Sequence, residues 1–302
     1  MRRSIVLAVL LAVGACDLVR DGTPLDAPPG RDGPPPVDDD LVPPVGSAAT
    51  FDIASWNAEN FPKSARAIDL LADLIASLDV DLIVFEEIAS VQAWNDLLAR
   101  LPAYEGVLSS HRYAPTLYQK LGFLYRKGLV TVGPAELLFT SDNYGFPRPA
   151  MKVHVEAAGL DFDAIGVHLK AGSSTDDAAR RAAAVQVLDA YLRAQIDGGG
   201  EDEVVVLGDY NEVITDAEGR QVLAPLHGAS DRYRFLTEAA ALAGEHTFIS
   251  SNMVIDHIVV TAGLYDEVGA ARAVIPRLET MVPRYDPDLT DHLPVIVSIP
   301  RP

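Results

Sequence analysis

VVVLGDYNE, residues 204–212, reads as a buried strand that ends in chemistry. The apolar run 204–207 stops at Gly208, where glycine lets the backbone turn and be approached closely. Asp209 and Asn211 then follow two residues apart, a spacing that puts both side chains on one face of extended chain. A carboxylate and an amide so placed can hold a hard cation and a phosphate oxygen together. Five other strings share the design: SWNAEN at 55–60, FEEI at 85–88, GVHLK at 166–170, VIDHI at 254–258 and TDHLP at 290–294. Asn57 and Asn60 follow FDIASW, Glu86 and Glu87 follow DLIVF, and His168 follows FDAIGV. Asp256 and His257 interrupt MVI and IVV, and Asp291 and His292 precede LPVIVSI. So many polar strand ends exceed what loops require, and sheet ends are where sites are commonly built.

Working outward, apolar residues at 68, 71, 75 and 78 predict an amphipathic helix over 65–78, between strands at 51–55 and 81–85. Together these form a strand–helix–strand unit of about the minimum crossover length. A second helix is expected at about 91–101, followed by strands at 122–125, 129–139, 150–157 and 162–168. The clearest helix is SSTDDAARRAAAVQVLDAYLRAQI, 173–196, with a capping-box pair in Ser174 and Asp177 and an end at the glycines 198–200. Residues 212–250 read as loops with short helical turns, and strands at 255–260 and 293–299 close the sheet. Two strand-rich halves with no linker predict an α/β fold of two sheets packed face to face with helices outside. A doubly wound parallel sheet fits less well, because 122–168 supplies several strands with no helix between them.

The 302-residue chain carries a formal charge of −19, of which −16 falls on residues 50–302. Such acidity keeps a protein soluble and opposes non-specific binding to phosphate backbones, less so if carboxylates hold divalent metal. Residues 1–15, with Arg2 and Arg3 ahead of an apolar stretch, read as an export signal too short to span a bilayer. VGAC, 13–16, ends in the only cysteine, Cys16, and resembles the lipobox of bacterial lipoproteins, whose cysteine carries the lipid. An exported protein anchored to a membrane through Cys16, periplasmic or at the cell surface, is therefore expected; an ordinary secretory signal is the alternative. No disulfide can form within the chain, so stability must come from the core. Residues 16–49, rich in Pro and Asp and without apolar period, read as an extended, mobile tether. Residues 50–302 are one domain of ordinary α/β size.

The ordered strings, spread over residues 51–299, resemble the endonuclease/exonuclease/phosphatase superfamily, the DNase I-like fold. That resemblance implies a four-layered α/β sandwich of two mixed sheets and the cleavage of phosphodiesters or phosphomonoesters with Mg²⁺, or Mn²⁺ or Ca²⁺ in its place. It implies Glu87 as metal ligand, with Asp291 a second metal-side carboxylate; Glu86 stands where the family has Gln and adds a negative charge. Asn57 resembles the amide that holds phosphate or metal-bound water, Asp209 the carboxylate that orients or deprotonates the attacking water, and Asn211 the amide that steadies a phosphate oxygen. His292 is the implied general base or transition-state partner, Asp256 the carboxylate that fixes its tautomer, and His168 a second phosphate contact. Arg148, in FPRPA, resembles an arginine that neutralises phosphate or braces the site, and Lys170 is placed to share the face of His168. His257 points the other way by strand alternation and reads as structural.

The function so implied is in-line attack of water on phosphorus by an exported nuclease, a monomer whose substrate is nucleic acid. HLKAG, 168–172, resembles strings of bacterial extracellular nuclease-like members. The alternatives are a phospholipid phosphodiesterase of the sphingomyelinase kind, a phosphatase, and, outside enzymes, a surface binding module on the same scaffold. A lipid enzyme should show an exposed apolar hairpin, which the sequence does not offer. A retired scaffold should have lost core residues, and none of the eight from Asn57 to His292 is missing.

Overall fold

The computed structural model describes residues 36–301. The export signal, Cys16 and the tether up to residue 35 lie outside the described residues. In chain order the strands are β1 (Thr50–Phe61), β2 (Leu82–Ile88), β3 (Tyr104–Leu108), β4 (Lys120–Arg126), β5 (Val130–Val132), β6 (Glu136–Leu138) and β7 (Ala150–Ala157). They continue with β8 (Leu160–His168), β9 (Val204–Asp209), β10 (Tyr233–Phe235), β11 (Asp256–Thr261), β12 (Ala273–Val274) and β13 (Val295–Pro300). The long helices are α1 (Ala67–Leu78), α2 (Val91–Arg100) and α3 (Thr175–Asp197).

One sheet has the order β12-β13-β1-β2-β4-β3, and the other β10-β11-β9-β8-β7-β5 with β6 also on β7. Each is mixed, with one parallel pair at its centre: β1 with β2, and β8 with β9. The sheets pack face to face, as the alternation along β9 shows. Val205 and Leu207 enter the core shared with the first sheet, while Val204 and Val206 face Val185, Leu188 and Leu192 of α3. Gly166 sits where the sheets approach closely, since a Cβ there would lie 2.9 Å from Val84 Cγ1. The predicted α/β sandwich of two mixed sheets with outer helices is the observed fold.

The expected strand at 129–139 is two short strands, β5 and β6, broken at Gly133 and Pro134, because proline cannot donate to a ladder. The tether boundary also needs correction, since residues 36–49 belong to the compact unit. Val42 is buried, Leu41 N–H donates to Ser77 Oγ at 3.0 Å, and Val45 N–H donates to Leu78 O at 3.1 Å. Leu41, Val42 and Val45 are too widely spaced to register as a period, yet they suffice to bind the segment to α1.

The topology places the motifs. In a parallel pair both carboxyl ends lie together, so the ends of β1 and β2 bring Asn57 beside Glu86. The ends of β8 and β9 bring His168 beside Asp209. The antiparallel partners supply their starts at the same place: Asp256 of β11 pairs with Asp209, and β13 enters opposite Ser55 of β1 just after His292.

Candidate active site

The strand ends close around a cavity of about 190 Å³. Its lining includes Asn57, Glu59, Asn60, Glu87, His168 and Asp209, together with Asn211, Phe248, Asp291 and His292. Glycine is required at the end of β9. Gly208 has φ 150°, and a Cβ there would meet Val167 O at 1.8 Å. Asp209 and Asn211 meet in a different way from strand alternation. Asn211 turns into the left-handed region at φ 52°, and its N–H donates to Asp209 Oδ1 at 2.7 Å. Asn60 and Glu87 are also left-handed, at φ 54° and 60°. For a non-glycine residue this conformation costs about 1–3 kcal/mol and persists where surrounding structure imposes it, commonly at functional sites. The strain at Glu87 turns its carboxylate into the cavity, where Oε2 accepts from Asn60 N–H at 3.0 Å and Oε1 stands 3.6 Å from His168 Nε2.

Asp209 is fully buried. Asn57 Nδ2 donates to its Oδ2 at 3.0 Å, while His168 Nε2 and His292 Nε2 stand 3.7 and 4.0 Å from that same oxygen. Burial and the nearby Asp256 charge hold the Asp209 carboxyl above the usual carboxylate range, partly offset by His292, Asn211 N–H and the Asn57 amide. His292 Nδ1 lies 3.0 Å from Asp256 Oδ2 and 3.2 Å from Oδ1. Burial alone would lower its pKa; the charge and hydrogen bond of Asp256, with Asp209 and Asp291 behind, overcome this and raise it to about 10. His292 is therefore imidazolium at neutral pH. His168 is the opposite case, held well below the ordinary histidine value by burial and by the charges of Arg148 and His292, and so neutral.

The supporting shell explains the fixed geometry. Thr290 Oγ1 donates to Asn57 O at 2.7 Å and accepts from His292 N–H at 3.1 Å. Tyr285 Oη donates to His292 O at 2.6 Å and accepts from Trp56 Nε1 at 3.1 Å. The Phe248 ring packs tilted against the His292 ring, at 5.0 Å and 40°. Asp291 N–H donates to Glu59 Oε2 at 2.8 Å, and Lys63 Nζ donates to that same carboxylate at 2.5 Å.

Several sequence expectations change. Arg148 does not line the cavity. Its guanidinium is spent on His168 O at 3.2 Å, Leu169 O at 2.6 Å and Gln119 Oε1 at 3.1 Å, so it braces the end of β8. Lys170 also turns away, pairing with Asp177 Oδ1 on the first turn of α3 at 2.9 Å. Glu86 does not line the cavity. It is buried at 0 % exposure, accepts from Ser55 Oγ at 3.1 Å, and is held well above the carboxylate range by burial and by the charges of Asp256 and Asp209. His257 is structural as expected, between Thr237 Oγ1 at 2.8 Å and Glu212 O at 2.9 Å. Glu59 was missed, although it lies inside SWNAEN; Phe248 and Thr290 left no signal beyond adjacency to chemistry.

Glu86 gives a stability prediction. A carboxyl with a raised folded pKa contributes its full stability below about pH 4.3, its unfolded value, and loses it as pH rises toward the folded pKa. Glu86→Gln fills the same space with a neutral group. Its urea midpoint should exceed that of the parent at pH 7, with the difference vanishing near pH 4. A lower midpoint at pH 7 would show that the buried carboxyl is ionised and satisfied.

The donor set fits a divalent cation. Glu59, Glu87, Asp209 and Asp291 face one small cavity that, among the described residues, no Lys or Arg lines, which is an excess of negative charge. Burial and Glu59 hold Asp291 above the usual carboxylate range despite His292. Asp209, Asp256 and His292 also have ligand atoms within 4.8 Å of one another. Asp256 is paired with His292 and does not line the cavity, whereas Glu59, Glu87, Asp209 and Asp291 do.

Solved structures similar to this fold include D. rerio TDP2 complexed with single strand DNA product (16% identity, 83% of this chain and 98% of that one, TM-score 0.58). The human Nocturnin catalytic domain with bound sulfate anion matches at 17% identity, 84% and 95% coverage and TM-score 0.61. A mannosyl-6-phosphatase of Bacteroides thetaiotaomicron matches at 15% identity, 82% and 98% coverage and TM-score 0.58. At these identities the likeness establishes the fold alone. No protein of curated function matches the chain in sequence. The sequence profile described as "Endonuclease/Exonuclease/phosphatase family" matches residues 54–292, from within β1 to His292, and the chain belongs to that family.

Proposed function

We propose that this protein is a divalent-metal-dependent phosphodiesterase acting on nucleic acid outside the cytoplasm. The observation that carries the reading is the meeting of Glu87, His168, Asp209, Asn211, Asp291 and His292 in one cavity. Glu87 and Asp291 hold the cation, which when bound neutralises phosphoryl oxygen charge and assists the leaving group. Asp209, aimed by the Asn57 amide and Asn211 N–H, orients water and accepts its proton. The His292 imidazolium donates to a phosphoryl oxygen as charge develops, rather than acting as general base. Asp256 keeps it protonated. Neutral His168 and the Asn211 amide complete the oxygen cradle. The extracytoplasmic setting rests on the signal-like residues 1–15 and on Cys16 as lipid anchor.

Incubation of the protein with Mg²⁺ and DNA, RNA, sphingomyelin or a generic phosphodiester tests the substrate. Preferred cleavage of DNA or RNA is expected, and preferred cleavage of sphingomyelin would overturn the nuclease reading. Phosphomonoester hydrolysis is the second reading, since the family to which the chain belongs includes phosphatases.

The two protonation states set a pH profile. Activity should rise as Asp209 ionises, above the ordinary carboxylate range, and fall near pH 10 as His292 loses its proton. Asp256→Asn removes the largest influence that raises the His292 pKa. Its alkaline limb should move toward neutral pH; an unmoved limb would show that another group sets it.

A further inference from the structure

We infer that the loop between β3 and β4, residues 109–119, is a lip beside the cavity that binds an unpaired nucleotide next to the scissile phosphate, with Tyr113 stacking on the base and Arg112 meeting the phosphate. This rests on the nucleic-acid reading above and adds strand selection to it.

The chain is strongly acidic, yet residues 106–135 contain no Asp or Glu. A polyanion is repelled by most of this surface and meets no carboxylate along this stretch. The loop is also held in place rather than loose. Lys120, at 3 % exposure, donates from Nζ to Ser109 O at 2.6 Å and His111 O at 2.8 Å, tying the β3 side of the loop to the start of β4. The Tyr118 ring lies 5.0 Å from that ammonium and its hydroxyl accepts from Val91 N–H at 3.2 Å. On this base Tyr113 is 42% exposed, and the His111 ring meets it edge to face at 5.0 Å and 87°. Burial, with the charges of Lys120 and Arg148, holds the His111 imidazole below its ordinary value. It is a neutral support for the tyrosine. Exposed Arg112 is the cation at the surface, with Nη1 donating to Pro115 O at 3.2 Å.

The loop connects directly to the cavity. Gln119 Nε2 donates to Asn60 Oδ1 at 2.7 Å, and Asn60 lines the cavity and donates its N–H to Glu87. Arg148 Nη1 donates to Gln119 Oε1 while the same guanidinium holds the carbonyl of His168. One side chain thus joins the lip to the residues that hold cation and phosphate. A supported aromatic face with an adjacent guanidinium is a stacking platform for single strands, since every base has a π-face. The membrane reading is weaker. Leu117, 62% exposed, is the only exposed aliphatic side chain of any size in the loop, too little for insertion.

The test uses the protein with a fluorescent single-stranded oligonucleotide, its duplex and bis(p-nitrophenyl) phosphate. Tyr113→Ala should weaken single-strand binding by about 5-fold or more, the loss of one stacked base. It should also lower kcat/KM on the strand relative to the small diester. Arg112→Ala should reduce the slope of log affinity against log salt by about 0.7, one phosphate contact. If the parent cleaves the strand and both variants match it in affinity and salt slope, the lip is overturned and the nuclease reading survives. If the parent cleaves only the small diester or sphingomyelin, the nuclease reading falls and the lip with it. If Tyr113→Ala and Leu117→Ala release the protein from phosphatidylserine vesicles while strand binding is intact, the loop is a membrane contact and the inference is wrong.

Discussion

His292→Ala is expected to lower turnover by roughly a thousandfold, the loss seen when a preorganised donor to a developing oxyanion is removed. The expectation comes from charge. Among the described residues lining the cavity there is no Lys or Arg, so the His292 imidazolium is the positive group the protein itself brings to the phosphoryl oxygens. The substitution also leaves Asp256 buried without its partner, which destabilises the fold. Its cost depends on pH. A histidine with a raised folded pKa contributes fully below about pH 6.5 and loses that contribution as pH climbs toward about 10. The variant should therefore lack the decline in urea midpoint that the parent shows across that window. Pairing His292→Ala with Asp256→Ala removes the stranded carboxylate; the midpoint should recover while turnover does not. Recovery of turnover in the double variant would reduce His292 to a structural role.

Asp209→Asn should be nearly as damaging to turnover, by about 10²–10⁴-fold, the range for a lost positioned base. Here stability should move the other way. The carboxyl is buried, close to Asp256, and its pKa is raised for both reasons, so ionising it at neutral pH opposes folding. The amide is isosteric and uncharged. Asp209→Asn should thus be at least as stable as the parent at pH 7 and inactive, whereas His292→Ala should be both unstable and inactive. An Asp209→Asn enzyme with parental kcat would remove Asp209 from the reaction.

Much of this was readable in the sequence because strand ends carry two signals at once. The apolar run fixes the element, and the polar residues after it fix where the element stops. Gly208 is the clearest instance, since only glycine tolerates Val167 O so near its Cα. What stayed hidden depended on partners distant in sequence. Arg148 and Lys170 carry the right charge for phosphate, but Leu169 O and Asp177 capture them. Glu86 reads as an added charge until its burial beside Asp209 and Asp256 is seen. The protonation of His292 is likewise a sum over Asp256, Asp209 and Asp291, which lie on three different segments. Short edge strands such as β10 and β12 carry too few residues to show a period.

On the proposed reading, this cavity hydrolyses phosphodiesters with a divalent cation held by Glu87 and Asp291. That reading is tested most directly by following bis(p-nitrophenyl) phosphate hydrolysis after EDTA treatment and on titration with Mg²⁺ or Mn²⁺, in the parent and in Glu87→Gln. Hydrolysis should be absent in EDTA and fully recovered with added cation, and the half-saturating cation concentration should rise by at least about 10-fold in Glu87→Gln. Unchanged hydrolysis in EDTA would contradict the reading.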